Sequence, residues 1–385
     1  MYICAMPSTT LMQYPDIPSP CYVLEEQWLV KNLELLQHIQ QSAHIEVICA
    51  LKGYAMHSTF PLVKKYLSGA TASSLHEAKL INDYMHVKAH TYCPVYLEHE
   101  WDEICKYSSH LVFNSLSQWN KYATHIPEGI SCGLRVNPGY SEISTELYNP
   151  ASPHSRLGIA AEELDGKLPE GIEGLHFHAL CENDSYTTEK VLESFIERFH
   201  TLILQVKWIN MGGGHLMTRQ GYDVNHLIGV LQKFRELYPH LQTVILEPGS
   251  AIGWQTGFLK SSVIDIVERQ GITTAMLDVS FTCHMPDCLE MPYKPVIRNA
   301  ISSSPYKYRM GGMSCLAGDY MGDWYFERPL SVGDEIIFED MIHYTMVKTT
   351  TFNGIHLPAI GMIDNNGNFR LIRRFDYNDY KNRLS

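Results

Sequence analysis

A chain of 385 residues with 45% hydrophobic and 19% charged residues has an ordinary globular composition, long enough for a large core and two domains. Its net charge of −12 argues against a nucleic-acid partner, and the lack of Lys/Arg runs argues against a polyphosphate or an anionic membrane surface. No hydrophobic run approaches the length of a transmembrane helix, so we expect no membrane association.

The N-terminus and the cysteines point to the cytoplasm. The first fifteen residues lack the basic region and the apolar core of a signal peptide. The ten cysteines form no CxxC pair, and no His/Cys cluster has zinc spacing. We therefore expect reduced thiols, no metal site and a cytoplasmic protein.

Strands and helices alternate through the first two thirds of the chain. A short strand is predicted at 21–24, and a helix begins at Glu25. Eight further strands are predicted, at 45–51, 69–73, 90–95, 110–114, 132–138, 174–180, 206–211 and 243–247. The helices between them include 74–85, 98–107, 117–125, 187–204 and 224–238. Eight strands separated by helices predict the α/β fold class, as a (β/α)8 TIM barrel rather than an open sheet.

The pattern changes near residue 258. A polar insertion at 139–165 is predicted as a long loop at the carboxyl end of the fifth barrel strand, where barrels keep their active sites. Beyond 258, the segments SSVIDIVE, TTAMLDVS, DEIIFED and YTMVKTTTF are predicted as strands of an all-β domain. The domains predicted are therefore a barrel at 25–257 and a β domain at 258–385 that also takes in 1–24.

Lys52 ends the first barrel strand and is followed by a glycine. A lysine at the carboxyl end of a buried strand is desolvated by its neighbours, which favours the neutral amine that condenses with aldehydes. A lysine that only extends its amine out of the barrel end is the structural alternative.

Three other features fall at the carboxyl ends of predicted barrel strands. His178 closes the sixth strand, although His176 faces the same way and the pattern does not choose between them. Gly212, Gly213 and Gly214 follow the seventh strand, where bare backbone N–H groups can approach a phosphate, although a tight turn also explains them. Glu247 closes the eighth strand and can direct its carboxylate to the barrel centre or cap a turn.

Together these groups match the needs of pyridoxal 5′-phosphate. The amine forms a Schiff base, the glycines hold the phosphate, the carboxylate keeps the pyridine nitrogen protonated, and the imidazole lies against the ring. Pyridoxal phosphate is therefore the predicted cofactor.

The chain resembles the fold-type III pyridoxal-phosphate decarboxylases, the family of the ornithine, diaminopimelate and arginine decarboxylases, which share the barrel of alanine racemase. The resemblance covers nearly the whole length, through the blocks PSPCYVLEEQ, ALKGYAM, TASSLHEA, FHALCE, NMGGGH, EPG, SCLAGD and YTMVKTTTFNG. Within the family, the forms ALKG, HFHxLCE and MSCLAGD are similar to those of the carboxynorspermidine decarboxylases. The resemblance implies decarboxylation of carboxynorspermidine to norspermidine, or of carboxyspermidine to spermidine.

The resemblance also implies roles for single residues. Lys52 would carry the cofactor, His178 would stack on its ring, and Glu247 would bind the pyridine nitrogen. The phosphate would be held by Gly213, Gly214 and Tyr344. Cys315, in a glycine-flanked loop, would be the acid that protonates the substrate carbon, and Asp319 would bind a substrate amine. Because this loop reaches the neighbouring subunit's site in the family, a homodimer with shared active sites is implied.

This chain also departs from many relatives. Ser250 follows the EPG block where an arginine is common, Leu316 follows the cysteine where an acid is common, and Ala70 and Thr71 stand where some relatives have an aspartate. These changes argue against ornithine, arginine and diaminopimelate as substrates. Candidate ligands for the amines of a longer polyamine acid are Glu182, Asp278, His284 and Asp287.

Three alternatives remain. One is a diaminopimelate or other basic amino-acid decarboxylase. Another is an alanine-type racemase, which would need a second base, commonly a tyrosine, where this chain offers Cys315. The third is a non-catalytic cofactor-binding regulator, against which the presence of both Lys52 and Cys315 argues.

Overall fold

Two compact units make up the computed structural model, which describes residues 14–291 and 293–385. One unit is Val30–Trp254, and the other combines the described residues before Val30 with Gln255–Ser385. The first described strand, β1 (Cys21–Glu25), belongs to the second of these units.

Eight parallel strands close into a barrel in chain order within Val30–Trp254. The strands are β2 (Glu46–Ala50), β3 (Gly69–Ala72), β4 (Ala89–Tyr92), β5 (Ser108–Phe113), β6 (Ser131–Arg135), β7 (Ile172–His176), β8 (Trp208–Asn210) and β9 (Thr243–Leu246). The helices from Glu26 to Gly253 are α1 (Glu26–Ala43), α2 (Phe60–Val63), α3 (Leu75–Met85), α4 (Trp101–Tyr107), α5 (Leu116–Tyr122), α6 (Ser185–Ile203), α7 (Val224–Leu237) and α8 (Ser250–Gly253). The predicted TIM barrel is confirmed, and each of its eight predicted strands is present.

The helix starts follow local capping chemistry. Ser74 and Ser115 accept the backbone N–H three residues ahead and begin α3 and α5. Asp184 and Asp223 do the same for α6 and α7. Such caps satisfy N–H groups that a helix leaves unpaired at its first turn. They fix where each helix leaves the barrel, and so where each strand ends.

Trp208 fills the barrel interior because two neighbouring strands carry glycine opposite it. A Cβ atom at Gly174 would lie 2.0 Å from the indole of Trp208, and one at Gly133 would lie 2.3 Å from it. The indole Nε1–H donates a hydrogen bond of 2.8 Å to Ser131 Oγ. The interior is therefore packed and closed below the carboxyl ends of the strands.

The second unit is built on an eight-stranded sheet. Its further strands are β10 (Gly257–Arg269), β11 (Ile272–Leu277), β12 (Tyr306–Gly311), β13 (Tyr320–Phe326), β14 (Glu335–Glu339), β15 (Ala359–Ile363) and β16 (Phe369–Arg373). The strand order is β13-β12-β11-β10-β1-β15-β16, with β14 also paired to β10. β1 runs antiparallel to β10 and parallel to β15, so the N-terminal strand closes the gap between them. Short helices complete the unit: α9 (Phe281–His284), α10 (Asp287–Glu290), α11 (Tyr344–Val347) and α12 (Tyr377–Lys381).

The strand predicted for YTMVKTTTF is wrong. Its first four residues form α11, and the next regular element is a 3-10 turn at Phe352–Gly354. The valine and threonines suggested a strand, but no neighbouring strand pairs with the segment in the described sheet. Instead, Lys348 follows the helical turn and forms salt bridges to Asp287 and Glu290. This tertiary pairing overrides the weak local preference for a strand.

Among the described residues, none of the helices combines the length and the hydrophobicity needed to span a bilayer.

The insertion at 139–165 is irregular except for 3-10 turns at Glu146–Tyr148 and Ala161–Glu163, as predicted.

The packing of Trp208 gives a test of the barrel. We expect Gly174→Ala to lower the free energy of unfolding by about 1–3 kcal/mol, because the added methyl group overpacks the indole. Gly229→Ala in α7 is the matched control, since nothing lies within 4 Å of its added Cβ atom. Alanine there should be neutral or stabilising by up to about 1 kcal/mol. Urea unfolding followed by far-UV circular dichroism measures both, and equal stabilities would contradict the packing described here.

Candidate active site

Lys52 lies two residues beyond β2, at the carboxyl end of the barrel. Burial in the barrel end lowers the pKa of its amine, and the nearby guanidinium of Arg135 lowers this pKa further. Both effects disfavour the ammonium form. The structure therefore gives Lys52 the property that covalent capture of an aldehyde requires.

His178 faces this amine in a fixed tautomer. The backbone N–H of Gly213 donates a hydrogen bond of 2.9 Å to His178 Nδ1, so that nitrogen is an acceptor. Burial and the nearby Lys52 and Arg135 hold the pKa of the imidazole well below its usual value, so the ring is neutral. Its proton then sits on Nε2, which lies 3.4 Å from Lys52 Nζ. A neutral imidazole thus faces an amine whose pKa is lowered.

The glycine loop after β8 is held tightly against the barrel end. A Cβ atom at Gly213 would lie 2.3 Å from the carbonyl oxygen of Glu247, and one at Gly214 would lie 2.1 Å from that of Leu180. Gly212 and Gly214 also have φ angles of +69° and +91°, which residues other than glycine rarely adopt. Because the Gly213 N–H already bonds His178, this loop orients the imidazole as well as offering backbone to an anion. The phosphate contacts of Gly213 and Gly214 stay predictions.

Glu247 lies directly after β9 and is 8% exposed. Asn210, the last residue of β8, donates a hydrogen bond of 2.6 Å from Nδ2 to Glu247 Oε1. His176 Nε2 lies 3.7 Å from the other carboxylate oxygen. Burial raises the pKa of Glu247, and the hydrogen bond from Asn210 opposes this shift. The carboxylate is thus buried and directed by its neighbours.

Arg135 and Tyr92 form the wall beside these groups. Arg135, at the end of β6, is 4% exposed, and its guanidinium carbon lies 4.6 Å from the centre of the Tyr92 ring. The Tyr92 hydroxyl donates a hydrogen bond of 2.7 Å to Asn114 Oδ1. Asn114 also binds the backbone on both sides of Leu157, through Arg156 O and Gly158 N–H. The predicted loop is thereby tied to the barrel end.

One cavity of about 190 Å³ joins these groups. Its lining includes Lys52, Thr71, Ser73, Tyr92, Arg135, Arg156, His176, His178, Gly213 and Glu247. Four of the predicted residues therefore meet in one place: Lys52, His178, Gly213 and Glu247. The sequence left open which of His176 and His178 faces the site, and both line the cavity.

The donor set fits pyridoxal phosphate. A depressed-pKa amine can take the aldehyde, a neutral imidazole of fixed orientation can cover a ring face, and a buried carboxylate can hold a pyridinium proton. Both ring nitrogens of His176 are buried beside the cavity without a hydrogen-bond partner in the described part of the chain. Such unsatisfied polar atoms are typical of a site that a ligand completes. No group of metal-binding side chains is present among the described residues.

The remaining predicted residues lie in the second unit or outside the cavity. Cys315 is exposed, and its backbone N–H donates to Asn353 Oδ1 at 2.7 Å. Asp319 is 5% exposed, and its carboxylate accepts the backbone N–H groups of Ser314 and Thr282. Asp319 thus holds the cysteine loop in shape within its own chain. Its contact with a substrate amine, and the role of Cys315, stay predictions.

The other candidate ligands already have partners. Asp278 accepts hydrogen bonds from the hydroxyl of Ser261 and the N–H of Ser262. Asp287 pairs with Lys348. Glu182 lies exposed in the barrel unit, and Tyr344 begins α11 in the second unit. The sequence analysis also considered His284, which is fully buried and accepts the N–H of Ser280 on Nδ1. Their substrate or phosphate contacts stay predictions.

Sequence reasoning missed Asn210 and Arg135. Both end a barrel strand at the carboxyl side, a position that favours functional residues. Arg135 is also the one charged residue in the predicted strand at 132–138. A search of every strand end for polar side chains would have found both.

A lysine, a histidine and a carboxylate around one cavity at the carboxyl end of a TIM barrel define the class of pyridoxal-phosphate enzymes with this barrel. Residues 21–342 match the model of a family described as pyridoxal-dependent decarboxylase, C-terminal sheet domain. The chain is 52% identical over 372 residues to carboxyaminopropylagmatine decarboxylase of Synechocystis sp., covering 96% of each chain. It is 44% identical over 382 residues to carboxynorspermidine/carboxyspermidine decarboxylase of Campylobacter jejuni, covering 96% of this chain and 99% of the relative.

A solved structure agrees with these relatives. The crystal structure of carboxynorspermidine decarboxylase from Campylobacter jejuni, complexed with norspermidine, matches with a TM-score of 0.88 and 43% identity over 95% of this chain and 100% of that chain. The chain belongs to the family of pyridoxal-dependent decarboxylases. It is a decarboxylase, and the predicted cofactor, pyridoxal 5′-phosphate, is confirmed.

Proposed function

We propose that this enzyme decarboxylates carboxynorspermidine or carboxyspermidine and releases norspermidine or spermidine. The observation that carries the proposal is the single cavity at which the amine of Lys52, the ring of His178 and the carboxylate of Glu247 meet. The match at 43% identity to an enzyme crystallised with norspermidine supports the polyamine class of substrate.

The residues divide the work of the reaction. Lys52 would supply the amine that binds the cofactor, His178 presents a ring of fixed orientation, and Glu247 would hold a proton at the pyridine nitrogen. When bound, pyridoxal phosphate supplies an electron sink for the electron pair left when carbon dioxide departs. The bond between Cα and the carboxylate breaks, and Cα then gains a proton. We assign the donation of that proton to Cys315 Sγ, which lies in an exposed loop where a thiol is accessible.

A second candidate substrate is carboxyaminopropylagmatine. The relative with 52% identity is a carboxyaminopropylagmatine decarboxylase. This identity is higher than the 44% identity to the carboxynorspermidine/carboxyspermidine decarboxylase. The candidates share the same α-amino acid head, on which the reaction takes place. They differ at the far end, where a guanidinium replaces an ammonium group. The distinction therefore concerns the far end of the substrate site and leaves the roles of Lys52, His178 and Glu247 unchanged.

A substrate panel tests the proposal. Purified protein with pyridoxal phosphate is supplied with carboxynorspermidine, carboxyspermidine, carboxyaminopropylagmatine, meso-diaminopimelate or ornithine, and carbon dioxide is measured. We expect one of the first three to exceed the last two by at least about 100-fold in kcat/KM, because a site built for a third basic group leaves polar groups unpaired with the shorter substrates. A preference for diaminopimelate or ornithine would contradict the substrate class but not the fold.

The assembly belongs to the same proposal. Cys315 lies in an exposed loop that also presents the apolar side chains of Met313, Leu316 and Tyr320, which are 38%, 48% and 43% exposed. Neighbouring exposed apolar groups are typical of an interaction surface. We infer a homodimer in which this loop completes the site of the partner. The nine described cysteines are all free thiols, which supports a cytoplasmic location.

A mixing experiment tests the shared site. Lys52→Ala and Cys315→Ala should each be nearly inactive alone. If each site takes its lysine from one chain and its cysteine from the other, random reassembly of equal amounts restores up to about a quarter of the wild-type activity. Mixing either variant with itself is the control. A mixture that stays inactive although labelled chains are shown to exchange would contradict the shared site.

A further inference from the structure

Asn210 is a buried amide in the barrel core behind the cavity. It is 0% exposed and is the last residue of β8, two positions before the glycine loop. It is not among the residues that line the cavity. Any influence that it has on the chemistry must therefore pass through a neighbour.

The hydrogen bonds of Asn210 fix the orientation of its side chain. The N–H of Gly212 donates to Asn210 Oδ1 at 2.8 Å, so this atom is the carbonyl oxygen. The amide nitrogen Nδ2 therefore faces Glu247 Oε1 at 2.6 Å and His90 Nε2 at 3.3 Å. Glu247 Oε1 accepts one of its protons, and the other can be accepted by His90 Nε2 in the tautomer of the neutral ring that carries its proton on Nδ1. A flipped amide would place the carbonyl oxygen against the carboxylate and lose all three bonds.

Asn210 engages Oε1 of Glu247, and Thr71 also donates a hydrogen bond to this carboxylate. Oε1 accepts from Asn210, while Oε2 lies 3.7 Å from His176 Nε2, beyond hydrogen-bond distance. The carboxylate borders the cavity, and Oε2 is the oxygen that Asn210 does not engage. Asn210 thereby fixes the orientation of the carboxylate group.

The surroundings of Glu247 include charges of one sign only. Lys52 from the end of β2 and Arg135 from β6 both favour the carboxylate form, as does a hydrogen bond from Thr71 of β3. The neighbouring histidines, His176 and His90, are neutral because burial holds their pKa values well below the usual range. Burial of Glu247 acts in the opposite direction and raises its pKa, and among the favourable contacts the hydrogen bond from Asn210 is the largest.

We propose that Asn210 is a positioning residue for decarboxylation, which keeps Glu247 ionised and directs its Oε2 to the pyridine nitrogen of the cofactor. The inference rests on the proposed role of Glu247. The negative charge of an ionised Glu247 would stabilise the proton on the pyridine nitrogen. If Glu247 were protonated, this stabilisation would be lost and the cofactor would be a weaker electron sink.

Two substitutions of Asn210 remove its hydrogen bond to Glu247 in different ways. Asn210→Asp keeps an oxygen for the Gly212 N–H but places a second acceptor opposite Glu247. Asn210→Leu removes the donor without adding charge. Asn32→Asp is the control, because Asn32 is a partly buried amide whose Nδ2 binds the carbonyl oxygens of Ile252 and Trp254. It therefore reports the general cost of losing such an amide.

The first measurement uses the protein without cofactor. Carboxyl-labelled glutamate is followed by ¹³C NMR over pH, and the signal of Glu247 is identified by its loss in Glu247→Gln. We expect the midpoint of Glu247 to rise by about one to two pH units in Asn210→Leu, since a hydrogen bond to a charged acceptor is worth about ten- to a hundred-fold in an equilibrium constant. The rise in Asn210→Asp should be larger, and Asn32→Asp should show none.

The second measurement uses the enzyme with its cofactor. We expect kcat to fall by about ten- to a hundred-fold in both Asn210 variants and its acidic limb to move to higher pH, with KM within about twofold. An unchanged Glu247 midpoint in the folded Asn210 variants would overturn the proposal. So would a fall in kcat equal to that of Asn32→Asp. If Glu247→Gln itself keeps full activity, the proposed role of Glu247 fails instead, which is a separate result.

Discussion

The chemistry of the site depends on one lysine amine whose pKa is lowered at the barrel end. Lys52 follows a buried strand, and the barrel end that surrounds it also contains the guanidinium of Arg135. Desolvation and this second cation both disfavour the ammonium form and so favour the neutral, nucleophilic amine. The ring of His178 is neutral for the same reasons and adds no proton that the amine could take.

One glycine loop sets the geometry of everything else in the barrel site. The N–H of Gly212 fixes the amide of Asn210, which in turn fixes Glu247, and the N–H of Gly213 fixes the ring of His178. The carbonyl oxygen of Gly212 also accepts the N–H of Glu247 at 2.8 Å. Two groups on different strands are thus held by consecutive peptide units. A shift of this loop would disturb both groups together. Any side chain in place of Gly214 would force such a shift, because its Cβ atom would lie 2.1 Å from the carbonyl oxygen of Leu180.

Much of this was predictable, because in a barrel the carboxyl end of every strand faces the same side. Locating eight strands was therefore enough to bring Lys52, His178 and Glu247 together, although the strand limits differ by a few residues. Asn210 and Arg135 were missed because an amide or a guanidinium in a strand has no pattern of its own, and its partners come from distant strands. The segment after Tyr344 was mispredicted because its β-branched residues favour a strand while the salt bridges of Lys348 hold a helical turn. No sequence pattern showed that the Gly213 N–H would be used by His178.

The most direct test of the central claim is to identify the amine that carries the cofactor. The protein with bound pyridoxal phosphate is reduced with borohydride, digested, and mapped by mass spectrometry. We predict that the reduced cofactor is attached to Lys52 at close to one cofactor per chain. Lysines outside the cavity, such as Lys64, should remain unmodified. Attachment to a different lysine, or no attachment in protein that contains cofactor, would contradict the account.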